Sequence, residues 1–263
     1  MATVRIEYRR GDLPAGNGSD GVTSKARLTY RRRRECRLGL RGLPQQVGTE
    51  NGGLVKIGIV GAGKIGHALS VRFTEAGHDV LLSNSRGPDT LEGLVQSIGV
   101  RAQAGTVEDA ARWGDVVVIA VPLSAARSLP AEQFAGKVVV DANNYYPERD
   151  GSINELDSGE QTSSELLAAH LPGALGVKAF NTVYFERLLN EAHPERRSEE
   201  RLGIPVAGDD AKAKAIVLDL IDEIGFTGVD AGDLAAGRRQ QPGTPVYNVP
   251  ASPDEVRSRL DSE

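Results

Sequence analysis

Gly61-Ala62-Gly63-Lys64-Ile65-Gly66 sets three glycines at the spacing G-x-G-x-x-G. Between a strand and a helix the three do different things. Gly61 makes a tight turn, Gly63 lets backbone approach a pyrophosphate, and Gly66 lets the helix pack closely on the strand. That setting is present. Val55-Lys56-Ile57-Gly58-Ile59-Val60 ahead of the motif reads as a strand, and Ile65, Ala68, Leu69, Phe73 and Ala76 behind it recur at helical spacing until Gly77 supplies a stop. An anion would rest on the free amides and positive dipole end of that helix. Lys64 is not a P-loop lysine, because the P-loop spacing and its following Ser or Thr are absent.

The second strand, Asp79-Val80-Leu81-Leu82-Ser83, tells which dinucleotide to expect. NAD enzymes usually place Asp or Glu at its end to hold the ribose 2′-hydroxyl, but here the chain reads Ser83-Asn84-Ser85-Arg86. A carboxylate would repel a 2′-phosphate, whereas an Arg flanked by hydroxyls attracts one through charge-assisted hydrogen bonds. NADP is therefore the expected cofactor, the plain alternative being that Arg86 is a solvated loop residue. Other chemistry is sparse. His67, His78, His170 and His193 show neither nucleophile pairing nor metal-ligand spacing, so no catalytic residue and no metal ligand is assigned. The strand ends that should face a nicotinamide carry Val121-Pro122, Asp141-Ala142-Asn143-Asn144 and Phe180-Asn181-Thr182, groups suited to orienting a ring and a carboxamide. Asp141 and Lys178 are the ionisable side chains nearby, and each has a purely structural reading. A site of this kind suits hydride exchange in which the cofactors hold the chemistry.

The elements that must position these residues alternate. A helical face at Leu91, Leu94, Val95 and Ile98 ends at Gly99, and a short strand at Arg101-Ala102-Gln103 precedes Thr106-Val107-Glu108-Asp109, a capping box opening a helix that Gly114 closes. Asp115 to Val121 and Lys137 to Asp141 are continuous β-branched runs of the type buried on both faces of a parallel sheet. A long polar connection, Asn144 to Thr162, follows; with Tyr145 and Tyr146 it reads equally as a cover for a ligand or as a disordered surface excursion. A second capping box, Thr162-Ser163-Ser164-Glu165, opens the next helix, which stops near Leu171-Pro172. Further on come strand Gly176 to Phe180, helix Val183 to Asn190, strand Ile204 to Ala207, a helix striped by Ala213, Ile216, Val217, Leu220, Ile221 and Ile224, and strand Thr227 to Asp230. Repeated βα units predict an α/β, doubly wound, mostly parallel sheet of the NAD(P)-binding Rossmann type with right-handed crossovers. Residues 54–175 form the expected NADP-binding domain, and 176–263 a small C-terminal α/β portion that completes the substrate site.

Charge divides the 263 residues unevenly. Residues 1–53 carry 11 basic and 5 acidic side chains, net +6, so the remainder holds −11 within an overall −5. That first segment lacks apolar periodicity, is Gly-rich and contains Arg31-Arg32-Arg33-Arg34, the composition of a disordered basic extension. Met1 is the only Met, and the first strand starts near Leu54. Translation is therefore expected to begin there, making 1–53 a wrongly placed start; the intact mass of the native protein tests this. Without aromatic interleaving the Arg run predicts no nucleic-acid partner. Cys36 is the single Cys, which excludes a disulfide framework within the chain and a multi-Cys metal site. With neither an 18-residue apolar run nor a signal-peptide core, no membrane is expected and a cytoplasmic location is.

Gly61 to Gly66, Ser85-Arg86, Ala120-Val121-Pro122, Asp141-Ala142-Asn143-Asn144, Val177-Lys178-Ala179-Phe180-Asn181-Thr182-Val183 and Val206-Ala207-Gly208-Asp209-Asp210 together resemble the NADPH-dependent coenzyme F420 reductase family. That family is related to the reductase domains of six-transmembrane metalloreductases and to the N-terminal domain of pyrroline-5-carboxylate reductases. The resemblance covers about residues 55–248, including Gln240-Gln241-Pro242-Gly243-Thr244-Pro245, and leaves out 1–53. It implies NADP at the fingerprint, Ser85 and Arg86 on the 2′-phosphate, Asn181 and Val183 beside the nicotinamide, and hydride transfer to a flavin or to the deazaflavin coenzyme F420. In one departure, Asn181 stands where the deazaflavin enzymes place His, which leaves the acceptor open. The cofactor-binding set is thus Gly61, Ala62, Gly63, Lys64, Ile65, Gly66, Ser83, Asn84, Ser85, Arg86, Val121, Pro122, Asn143, Asn181 and Val183. The partner is a small-molecule redox acceptor, and a homodimer is open. Competing readings are a non-catalytic NADP-binding sensor and an imine reductase; the latter needs a long all-helical region after the Rossmann domain, whereas this chain keeps alternating.

Overall fold

A computed structural model describes residues 53–262. The expectations for the basic extension lie outside the described residues. Eight strands form one sheet in the order β3-β2-β1-β4-β5-β6-β7-β8, with β1 at Lys56–Val60, β2 at Asp79–Ser83, β3 at Ala102–Gly105, β4 at Val116–Ile119, β5 at Val138–Asp141, β6 at Leu175–Lys178, β7 at Gly203–Gly208 and β8 at Thr227–Gly232. The first six pair in parallel, in the doubly wound dinucleotide order, so the strand order reverses direction between β1 and β4. At the far side β7 turns antiparallel to β6, pairing Val177 with Gly208 and Lys178 with Ala207, and β8 then runs parallel to β7. Both sequence portions thus contribute to one continuous sheet.

Helices α1 (Lys64–Glu75), α2 (Glu92–Ile98), α3 (Val107–Trp113) and α4 (Leu123–Ala126) follow the early strands, with α5 (Pro147–Asp150), α6 (Asn154–Asp157) and α7 (Ser163–His170) between β5 and β6. The remainder are α8 (Phe185–Asn190), α9 (Ala211–Glu223) and α10 (Pro253–Leu260). The period-2 geometry of the strands splits their apolar runs between two layers. Ile57, Ile59, Val116, Val118, Val138 and Val140 pack with Leu69 and Phe73 of α1 and Val217 and Ile221 of α9. Val117, Ile119 and Val139 face the other way, onto Ala110 and Ala111 of α3 and Leu167 of α7. Continuous β-branched runs are therefore needed, since neither face of the central strands meets water.

Both expected capping boxes form. Thr162 Oγ1 accepts from Glu165 N at 3.1 Å while Glu165 Oε2 accepts from Thr162 N at 2.8 Å, and Thr106 and Asp109 do the same at α3. Because Thr162 is buried, Thr162→Ala should cost about 1 kcal/mol, read as a lowered urea midpoint with unchanged slope. Several strand boundaries shift by one or two residues from the sequence reading, β6 for instance spanning Leu175–Lys178 rather than Gly176 to Phe180, and three further differences have physical causes or add an element. β4 stops at Ile119, since Pro122 cannot donate to a ladder and the chain turns at the sheet edge of the cleft. α8 starts at Phe185 rather than Val183, because Tyr184 is the extended N-cap and Phe180 occupies the left-handed region at φ 65°, which prevents an earlier helix. α10 is an addition, although Ser252-Pro253-Asp254-Glu255 carries a complete capping box with Pro in the first turn; its Val256 and Leu260 close a third apolar cluster with Val229 and Ala231 of β8. Among the described residues no helix is long and apolar enough to cross a membrane.

Candidate functional site

The reversal between β1 and β4 opens a crevice at the carboxyl ends of the strands, where ligands bind in open α/β sheets. Gly61 turns the chain there at φ 111°, and its N–H donates to Ser83 O at 3.0 Å. A Cβ on Gly61 would lie 2.4 Å from Ala120 O, and one on Gly66 would lie 1.8 Å from Gly61 O. Helix α1 therefore sits almost on the turn that precedes it. Gly66→Ala should cost about 1–3 kcal/mol of stability, the range for overpacking a tight contact; unaltered urea denaturation would show that the turn can move. Gly63 differs: no atom lies within 4 Å of where its Cβ would be. It is the N-cap of α1 and no side chain caps that helix, so the first-turn amides face open space.

At the end of β2, Ser83 is buried and its hydroxyl donates to Ile59 O at 3.0 Å, so it braces β1. Asn84 folds the following turn, its Oδ1 accepting from Arg86 N at 2.9 Å and its Nδ2 donating to Thr90 Oγ1 at 2.9 Å. Ser85 and Arg86 extend beyond it, outside the core. No ion pair engages Arg86 among the described residues.

A pocket of about 390 Å³ continues from the α1 N-terminus across the ends of β4, β5 and β6. Two asparagines form its polar floor. Asn143 Oδ1 accepts from Val121 N at 3.1 Å, which fixes the amide and leaves Nδ2 buried without a partner. Asn181 Nδ2 donates to Asn144 Oδ1 at 3.0 Å and to Gln240 O at 2.6 Å, which leaves Oδ1 buried without a partner. Both side chains line the pocket, while these two atoms are themselves enclosed, as are the amide atoms of the neighbouring Gln240. These residues fit a nicotinamide dinucleotide: open amides for the pyrophosphate, an Arg free of ion pairs for a 2′-phosphate, and two asparagine side chains among apolar ones for the ring.

Beneath the floor lies Lys178, fully buried, its Nζ donating to Asn143 O at 3.0 Å and 3.4 Å from Asp141 Oδ2. Asp141 Oδ1 accepts from Asn143 N at 2.9 Å, and Ser164 Oγ donates to Asp141 Oδ2 at 2.5 Å. Both backbone groups of Asn143 are thus held by one buried ion pair. Asp141 and Lys178 lie behind the pocket and do not line it.

The wall opposite comes from the Asn144 to Thr162 connection, which is folded. Tyr145 organises it, its hydroxyl donating to Asp157 Oδ1 at 2.7 Å and accepting from Ile153 N at 3.0 Å. Tyr146 and Arg149 line the pocket, and Tyr146 OH meets Tyr247 OH from far along the chain. Burial, then the hydrogen bond and proximity of Tyr146, push the Tyr247 hydroxyl above the ordinary tyrosine range, with Arg149 pulling weakly the other way. Tyr247 is therefore neutral near pH 7 and presents a hydroxyl rather than a charge.

Of the residues singled out from sequence, Gly63, Lys64, Ile65, Val121, Pro122, Asn143, Asn181 and Val183 meet in this pocket. Gly61, Ala62 and Gly66 build the turn beside it, and Ser83 to Arg86 lie apart at the end of β2. Sequence reasoning missed Arg149, Phe185 and Tyr247. The length of the polar connection was a signal for the first; nothing local marked Tyr247.

Fold and crevice define a Rossmann-type NAD(P)-binding protein. The family described as NADP oxidoreductase, coenzyme F420-dependent, matches residues 56–145. The metalloreductase STEAP3 of Rattus norvegicus is 32% identical over 185 residues, covering 70% of this chain and 35% of its own length. The F420-dependent NADP reductase of Methanothermobacter thermautotrophicus is 26% identical over 208 residues, covering 73% of this chain and 88% of its own. Among solved structures, the Sinorhizobium meliloti protein SMa0349 superposes with a TM-score of 0.67 at 32% identity, covering 76% of this chain and 95% of that one. The chain spans about a third of the length of the metalloreductases it matches. It belongs to the F420-dependent NADP oxidoreductase family.

Proposed function

We propose that this protein exchanges hydride between NADP(H) and a flavin, the deazaflavin coenzyme F420, or another small acceptor, working in the cytoplasm and needing neither nucleic acid nor membrane. The observation that carries the reading is the pocket at the strand ends, lined by Asn143 and Asn181, that opens onto a helix N-terminus without a side-chain cap. When bound, NADPH supplies the hydride. The α1 amides hold the pyrophosphate, and Ser85 with Arg86 holds the 2′-phosphate. Asn143 and Asn181 fix the ring's rotation through its carboxamide, while Val121, Pro122 and Val183 present apolar surface that excludes water. Among the described residues no carboxylate lines the pocket, and the chain's part in this reading is to orient the two reacting rings.

Loss of 340 nm absorbance with NADPH and a panel of FMN, coenzyme F420 and a cyclic imine is the test. Consumption with FMN or F420 is expected. Tight NADPH binding without consumption of any acceptor would establish a sensor instead, and consumption with the imine alone would establish an imine reductase.

A further inference from the structure

We infer that Arg149 selects the acceptor, recognising one whose redox ring carries an anionic side chain. The inference rests on the hydride-transfer reading and deepens it. Among the described residues two cations, Lys64 and Arg149, line the pocket, and no acidic side chain does. They are not equivalent. Lys64 opens α1, where the fingerprint pyrophosphate would draw on it, and its Nζ lies 4.6 Å from the Phe185 ring centroid. Arg149 belongs to α5, beyond β5, on an element with no part in the fingerprint.

The guanidinium is held but not used up. It lies over the Tyr146 ring at 4.9 Å, Nη2 donates to Asn144 O at 2.7 Å, and Nε and Nη2 reach the Asp150 carboxylate at 3.3 and 2.8 Å. The Asp150 side chain is covered and divides its charge, accepting as well from Tyr146 N, Ser124 N and Ser124 Oγ. Burial pushes the Asp150 carboxyl up, but the hydrogen bonds from Arg149, Tyr146 and Ser124, with the Arg149 charge, outweigh it and keep the group ionised well below pH 7. Asp150 thus anchors one edge of the guanidinium. Among the described residues none accepts from Nη1, and the side chain, 42% exposed, lines the pocket. A planar guanidinium whose Nε and Nη2 are held and whose Nη1 is unused is preorganised to donate from Nη1 to a phosphate or carboxylate oxygen. The cost of ordering it is already met by Tyr146 and Asp150, which is how preorganisation raises affinity.

The probes are FMN and riboflavin, which share a ring and differ by one phosphate, bound to the full-length protein saturated with NADP+ and followed by quenching of flavin fluorescence. FMN should bind about tenfold tighter than riboflavin, the scale of one charge-assisted hydrogen bond. Arg149→Gln should bring the two within about twofold, Arg149→Lys should restore part of the difference, and NADP+ affinity should be the same in all three. Equal binding of FMN and riboflavin to the wild type, a preference that survives in Arg149→Gln, or no flavin binding at all would overturn the inference. A phosphate preference lost in Arg149→Gln, found together with no NADPH consumption, would sustain anion recognition by Arg149 while refuting hydride transfer.

Discussion

Arg86→Glu should weaken NADPH binding by about 100-fold while leaving NADH binding unchanged or improved. A hydrogen bond to a charged group contributes about 1.5–3 kcal/mol, and each 1.4 kcal/mol is about a tenfold change in affinity; the introduced carboxylate adds repulsion to that loss. Three features make the substitution clean. Arg86 lies outside the core, it holds no ion pair among the described residues, and the turn it sits on is maintained by Asn84 rather than by its own side chain. The fold should therefore be indifferent to the change. A Glu at that place also supplies the acceptor that NAD enzymes use for the ribose 2′-hydroxyl. Dissociation constants from nicotinamide fluorescence decide it: equal weakening of both cofactors would remove Arg86 from the 2′-phosphate.

The second large effect lies in the core. Lys178→Met should destabilise the protein by about 3–5 kcal/mol, the cost of leaving one member of a buried ion pair unpaired. Its partner Asp141 is only 3% exposed, and Lys178 is fully buried. Adding Asp141→Asn to Lys178→Met should recover much of the loss, since the stranded charge is then gone. Urea denaturation of the single and double variants measures both quantities; a single-variant cost below about 1 kcal/mol would mean that water or rearrangement replaces the pair. Cofactor affinity supplies the functional half. Lys178 and Asp141 grip the two backbone groups of Asn143, so the double variant should remain folded yet bind NADPH less tightly. Lys178 is in this sense a positioning residue.

What could be read from sequence was what is encoded locally. The fingerprint, the β-branched strands and the Thr106 and Thr162 caps each depend on residues a few places apart, and each forms as expected. Ser83 was legible as a strand end but not as a brace, because its hydroxyl partner Ile59 lies 24 residues away. Tyr247 was out of reach for the same reason: its partner Tyr146 is 101 residues distant, and a lone Tyr in a polar segment carries no period or spacing. The antiparallel β7 was hidden differently. Alternating strand and helix patterns fix the element types, while the direction of an added edge strand depends on how its connection runs. Helix α10 had a readable signal in Ser252 to Glu255, obscured by a helix of only eight residues with a polar surface.

The hydroxyl contact between Tyr146 and Tyr247 bears on how the site matures during synthesis. Chains emerge from the ribosome N-terminus first. The residues of the Gly61 turn and the Arg86 corner are synthesised early, whereas the crevice floor needs Asn181 and Gln240, which come much later in the chain. The wall facing them gains its last support only when Tyr247 arrives and Asn248 N donates to Thr182 O at 2.9 Å. The fingerprint turn and the Arg86 corner are thus built from one short stretch of chain, whereas the wall of the crevice is closed by two tyrosines 101 residues apart.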